Sequence, residues 1–290
     1  LDRSLRRVLT RTDGSRPVVA HTDVPPHFPR FDGTTSHLWF GWHGGRAADL
    51  AAAVARVPRM GRFVTAFGAA SVAAGTAALQ DRSWPAIDWD TIDAATGAPA
   101  ASLHHLVPPT GASDGPAWAT LTGIAQAEVV KTGIELLRRL KYRPTGGFVQ
   151  FHLIDASPDG GFGVLDHDRR PKPAWQAMVD ACRPVIVVAD PMPAVVHAGE
   201  SIDLAIHVVS DRREALPDAT VSATVRGLDT AGAPVHEVTQ RWTGTIPADD
   251  CHLIGRTDAI VAEGADRLEV DLELTGADVF VTNRYHAVVR

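Results

Sequence analysis

A change of pattern near Pro184 constrains this chain most: before it, short apolar runs alternate with helical periodicity, and after it come strands with little helix. The first pattern builds βα units around a parallel sheet. The second builds a sandwich of two sheets. The fold class expected is α/β plus all-β, with residues 1–184 forming one domain and residues 185–290 another. In the first domain strands are predicted over residues 18–22, 37–42, 63–68 and 148–154, and a helix over 47–57. A longer helix carries Leu121, Ile124, Val130, Ile134, Leu137 and Leu140 as an apolar stripe, and Pro144, Gly146 and Gly147 end it. Residues 173–182 make a last helix, while residues 82–116 are too long for a plain βα connection and predict an excursion beside the site.

In the second domain strands are predicted over residues 185–189, 202–209, 220–226, 236–242, 267–274 and 279–289. Turns are expected at Ala198-Gly199, Leu216-Pro217 and Ala231-Gly232. Ile202, Leu204 and Ile206 would face inward, and Asp203 and Ala205 outward.

A net charge of -6 and a pI near 6.1, with scattered positive charges, leave no basic footprint, so no nucleic-acid partner is expected. No membrane span is expected either, because no apolar run is long enough. Residues 1–11 read as a basic amphipathic helix without an apolar signal core, and a start on Leu1 instead of methionine suggests a piece of something longer. Cys182 and Cys251 read as reduced structural thiols, which favours a cytoplasmic setting. The Gly-Trp-His-Gly-Gly run at 41–45 lacks the Lys-Ser/Thr of a phosphate loop, and His104-His105 reads as a solvated loop pair. No cofactor and no metal are expected.

Four stretches in this order carry a resemblance. They are Arg16-Pro17-Val18-Val19-Ala20-His21; Ser36-His37-Leu38-Trp39-Phe40-Gly41-Trp42-His43-Gly44; Arg62-Phe63-Val64-Thr65-Ala66-Phe67-Gly68; and the run from Arg139 through Gly147, Gln150 and Asp166 to Pro173. Together they resemble the second half of the catalytic barrel of glycoside hydrolase family 2, β-mannosidase-like type. The resemblance implies a partial (β/α)8 TIM barrel followed by an immunoglobulin-like β-sandwich, and a retaining mechanism that uses two glutamates. It puts the nucleophile position at Ala66, where no carboxylate stands. The family's acid/base glutamate follows an asparagine, whereas Asn283, the only asparagine here, is followed by Arg284. Before Pro184 the only glutamates are Glu128 and Glu135, which read as solvated helix carboxylates.

The resemblance further implies that the first four barrel strands lie upstream of Leu1. The missing N-terminal half would then be a partner, and Val19, Leu38 and Val64 would line an uncovered inner face. A carbohydrate ligand would meet His21, His37, Trp39, Trp42 and His152, with β-mannoside as the substrate class. The family's aspartate before Ser-His is replaced by Thr35, and Phe162 is the only aromatic in the loop after the last barrel strand. The Asp166-His167-Asp168-Arg169-Arg170 charges read as structural. Two functions follow as expectations: an inactive fragment of a retaining glycoside hydrolase, or a non-catalytic carbohydrate-binding or interaction protein.

Overall fold

The computed structural model describes residues 2–16, 18, 35–80 and 83–290. The strand expected over 18–22, with Val19 and His21, lies outside the described residues except for Val18. The chain divides into two compact units, Leu1–Met178 and Val179–Arg290.

In the first unit α1 (Asp2–Thr12) is exposed, and the centre is a parallel sheet in the order β1 (Ser36–His37), β2 (Phe63–Ala66), β4 (Gly147–Phe148). A second, antiparallel pair joins β3 (Ser71–Val72) to β5 (Gly160–Gly161). Between them run α2 (Asp49–Arg56), α3 (Trp89–Thr96), α4 (Ala100–Leu106) and the long α5 (Gly115–Arg139), and α6 (Pro173–Ala181) follows. The start of α5 is fixed by Asp114, whose Oδ1 accepts the Ala117 N–H at 2.8 Å, with Pro116 in the first turn.

The parallel strands are shorter than expected. After His37 the backbone turns instead of extending to Trp42: Trp42 N–H donates to Trp39 O at 3.1 Å and Gly41 N–H to Gly44 O at 3.1 Å. Gly41 has φ +82°, and a Cβ there would lie 2.9 Å from Ala47 N, so only glycine makes this turn. Past Phe148 the ladder breaks up, although Val149 N–H still reaches Val64 O at 2.8 Å and Phe151 N–H reaches Phe67 O at 3.1 Å.

The buried face of α5 also differs from the expected stripe. Ile124 is 54% exposed, while Thr122, Gln126, Val130, Gly133, Ile134 and Leu137 are buried. Polar Thr122 and Gln126 took inward positions because the loops they face present backbone groups that need partners. Glu135 is likewise buried beside Lys131 at 3.9 Å, which corrects its reading as solvated; Glu128 is exposed. Leu38 and Val64 are both buried, contrary to the uncovered face expected of them. The described part of the 82–116 excursion contains α3 and α4, and its Ile87, Ile92 and Leu103 share an apolar core with Trp42 and Trp118.

In the second unit, one sheet has the order β10 (Pro234–Ile246), β9 (Leu216–Leu228), β12 (Arg267–Thr275), β13 (Phe280–Val289), β7 (Val195–Val196). The other has the order β11 (Cys251–Ile260), β8 (Ser201–Ser210), β6 (Val185–Ala189). Ile202, Leu204 and Ile206 of one sheet share a core with Val221, Leu268 and Leu272 of the other. Each such side chain contributes roughly 1.5–3 kcal/mol of burial. Asn283 bridges the sheets by donating to Val187 O at 2.9 Å and to the Tyr285 hydroxyl at 2.8 Å.

Ala205, expected outside, is buried. Leu216-Pro217 is the start of β9, not a turn, and β7 and β11 have no counterpart among the expected strands. Gly255 masks β11 in the sequence, and it is there because a Cβ would lie 2.4 Å from Trp242 Nε1. Neither Cys182 nor Cys251 forms a disulfide, and among the described residues no helix is long and apolar enough to cross a membrane.

Candidate functional site

The ends of the three parallel strands bring several sequence-predicted residues together. Ala66 closes β2 and is 3% exposed; His37 is its Cα partner on β1, and Leu38 N–H donates to Ala66 O at 2.9 Å. Ala66 has only a methyl group to offer. Beyond these ends stands an aromatic cluster. Trp39 meets Phe151 edge-on at 5.5 Å and Phe162 at 5.7 Å, and Phe151 meets Phe162 at 5.5 Å. Such edge-to-face pairs fix ring orientation and contribute about 0.5–1.5 kcal/mol each beyond burial.

Trp42, expected to touch ligand, is 0% exposed and packs on Phe162 at 5.2 Å. It backs the cluster instead of offering a face, and its indole N–H has no hydrogen-bond partner among the described residues. His152 is exposed, with its ring centroid 3.4 Å from that of Phe151. His21 lies outside the described residues. Phe151 and His43 were not singled out by the sequence; Phe151 is the residue beside His152, and a preference for aromatic neighbours at the last strand end would have found it.

The cluster is held by backbone-directed bonds. Gln150 Nε2 donates to Phe151 O at 2.8 Å and to Phe162 O at 3.2 Å, tying two loops together. Gly68, with φ +140°, lets the chain after Ala66 pass close by, since a Cβ there would sit 3.1 Å from Phe151 O. On the other side His43 Nδ1 is 3.0 Å from Ser102 Oγ, and His105 Nε2 donates to Gly45 O at 2.9 Å. Thus His104-His105 belongs to the last turn of α4 and not to a loop; both remain exposed, and His104 lies against Trp89 at 5.6 Å.

Behind the last loop, Asp155 accepts Gly163 N–H at 2.6 Å and pairs with Lys172 at 2.8 Å, the Asp155 side chain being buried and that of Lys172 half-buried. Burial pushes the Lys172 ammonium below its ordinary range, and its bond to Asp155 opposes the shift. Arg170 N–H donates to Asp166 Oδ1 at 2.8 Å and Arg170 pairs with Asp168 at 2.8 Å, so this charged run braces its own loop.

Desolvation holds the His152 imidazole below its ordinary value of 6.5, and Asp155 counteracts this. The neutral ring is favoured in the folded chain, so this residue leaves stability unchanged above pH 6.5 and weakens it as the pH falls through that value toward the lower folded one. A proton-NMR titration of the His152 ring should accordingly give a midpoint below that of an exposed histidine; a midpoint at or above 6.5 would contradict the packing described.

Among the described residues no group of three or more His, Cys, Asp or Glu could hold a metal ion. Among the described residues of the first unit no glutamate stands at a strand end, because Glu128 and Glu135 are both on α5. The arrangement can stack and hydrogen-bond a ligand, but the carboxylate pair of a retaining glycosidase is not present at the described strand ends.

No family model and no curated protein sequence matches this chain. Solved structures do. A β-D-mannosidase from Dictyoglomus thermophilum is similar over 89% of this chain at a TM-score of 0.60 and 17% identity. The exo-chitosanase CsxA of Amycolatopsis orientalis, solved with PNP-β-D-glucosamine, is similar over 78% at a TM-score of 0.51 and 14% identity. At these identities the likeness is one of fold. The chain spans 30% of the first protein's length and 27% of the second's.

Proposed function

We propose that this chain derives from a retaining, exo-acting glycoside hydrolase of the family 2, β-mannosidase-like type, and that it holds a carbohydrate without cleaving it. On this reading residues 1–184 are the second half of a (β/α)8 barrel and residues 185–290 an immunoglobulin-like sandwich. The supporting observation is the pairing of Ala66 with His37 at the strand ends, below the Trp39, Phe151 and Phe162 rings. Barrel chemistry sits at that end of the strands. A retaining glycosidase needs a nucleophile and an acid/base there, about 5–5.5 Å apart, and position 66 supplies neither.

Aromatic rings and imidazoles suit a pyranose, whose C–H faces stack while its hydroxyls take hydrogen bonds. Trp39, Phe151, His37 and His152 would do this, with Trp42 behind them. The fold likeness to a β-D-mannosidase supports mannose as the sugar. A complementary barrel half would complete the sheet beyond β1 and β4 and is the partner this reading requires. The non-catalytic reading, a carbohydrate-binding protein that has kept its recognition surface, is favoured by one observation: the aromatic cluster is packed and braced although Ala66 cannot attack.

Calorimetric titration with mannose and manno-oligosaccharides tests recognition. Saturable binding is expected, weakened by about tenfold or more in Trp39→Ala, the loss of one stacking partner. Equal binding by the variant would remove the cluster from the site.

A further inference from the structure

A cavity of about 320 Å3 lies in the first unit between β3, the start of α5 and the loops that lead into α6. That volume falls within the roughly 300–1,000 Å3 of small-molecule sites. None of Trp39, Trp42, Phe151, Phe162 or His152 lines it. Val72, Ala119 and Pro173 give it apolar walls, and its charged groups are Asp155, Asp166 and Lys172, with His167 at the same rim.

The charge balance selects the ligand. Lys172 is already engaged by Asp155 at 2.8 Å and by Gly161 O at 3.1 Å, and Asp166 acts on the same ammonium. One lysine against two carboxylates leaves a net negative wall. An anionic ligand would be repelled, and a neutral one would gain nothing from the excess charge. Asp166 holds Arg170 N–H through Oδ1, while its charge also faces the Lys172 ammonium.

We propose that this cavity is a second binding site, independent of the strand-end cluster, and that it takes a small hydroxylated primary amine, a protonated hexosamine being the best match. The ammonium meets Asp166 Oδ2, the hydroxyls meet His167 and Thr120, and the ring lies on Val72 and Pro173. The proposal stands without the reading of the strand-end site, since no residue is shared.

The test is calorimetric titration of the whole chain with glucosamine, glucose and glucuronate. Glucosamine should bind saturably, glucose about tenfold more weakly, and glucuronate not at all. Thr120→Trp, a change at an exposed helix position on the cavity wall, should lower glucosamine affinity by at least about tenfold by filling the space. Asp166→Asn keeps an oxygen for Arg170 N–H and should remove the preference for glucosamine over glucose. Thermal midpoints of both variants, compared with the parent, report whether the fold is kept. No saturable glucosamine binding would overturn the proposal. So would equal binding of glucose and glucosamine, or glucosamine binding that survives Thr120→Trp and is lost in Trp39→Ala.

Discussion

Gln126→Leu should cost the first unit about 3–4 kcal/mol, the largest stability loss expected of any single side chain discussed. Gln126 is fully buried on α5, and its amide serves two segments at once, residues 69–71 and 161–163. Nε2 donates to Ala69 O at 2.9 Å, Gly163 O at 3.1 Å and Gly161 O at 3.3 Å, while Oε1 accepts from Ser71 Oγ at 3.1 Å. Leucine fills nearly the same volume, so the change tests polar satisfaction and not packing. Gly161 O keeps its bond from Lys172, but Ala69 O, Gly163 O and the Ser71 hydroxyl are left buried without these partners. Each orphan costs on the order of 1–3 kcal/mol, partly relieved by local shifts. Denaturant unfolding of parent and variant measures the difference; a loss below about 1 kcal/mol would mean that the loops do not depend on this amide.

Ala66→Glu in the same 290-residue chain should give no hydrolysis of an aryl β-mannoside above background. A nucleophile at β2 without an acid/base partner leaves the departing oxygen unprotonated, and general acid catalysis alone is worth roughly 10²–10⁴-fold. Burial adds a second obstacle. Position 66 is 3% exposed, so an inserted carboxylate would be desolvated, its pKa raised, and the chain destabilised on the order of 2–4 kcal/mol. The same substitution in a chain that also carries a complete barrel with an acid/base glutamate is where activity could return. Release of the aryl group by the variant of this chain alone would show that another group acts as acid and would overturn the account of the site.

How far the sequence could be read depended on whether periodicity or distant contact set each feature. Strand β6 matches residues 185–189, and β8, β9, β12 and β13 were visible as alternating runs, because one buried face imposes a period of two. Gly255 hid β11, since its reason is a close approach by Trp242 from another strand. On α5 the apolar stripe misassigned Ile124, because Gln126 and Thr122 are buried for loops far away in sequence. The parallel strands were overextended at their ends, where Gly41 and the backbone bonds of Phe151 redirect the chain.

At the site, Trp39 and His152 were named from the sequence, while Phe151, the neighbour of His152, was passed over and is joined to Trp39 by the contact of two strand ends. The Lys172–Asp155 pair and the cavity beside it join segments with no common pattern, so nothing in the linear sequence announces them.

The most direct test of a recognition site without its catalytic nucleophile is the unmodified chain incubated with an aryl β-mannoside, with release of the aryl group followed over hours. The expected result is no release above the uncatalysed rate, in the same preparation that binds manno-oligosaccharides saturably. Turnover that co-purifies with the chain and is lost in Trp39→Ala would contradict both the role given to Ala66 and the reading of this site as one that binds without cleaving.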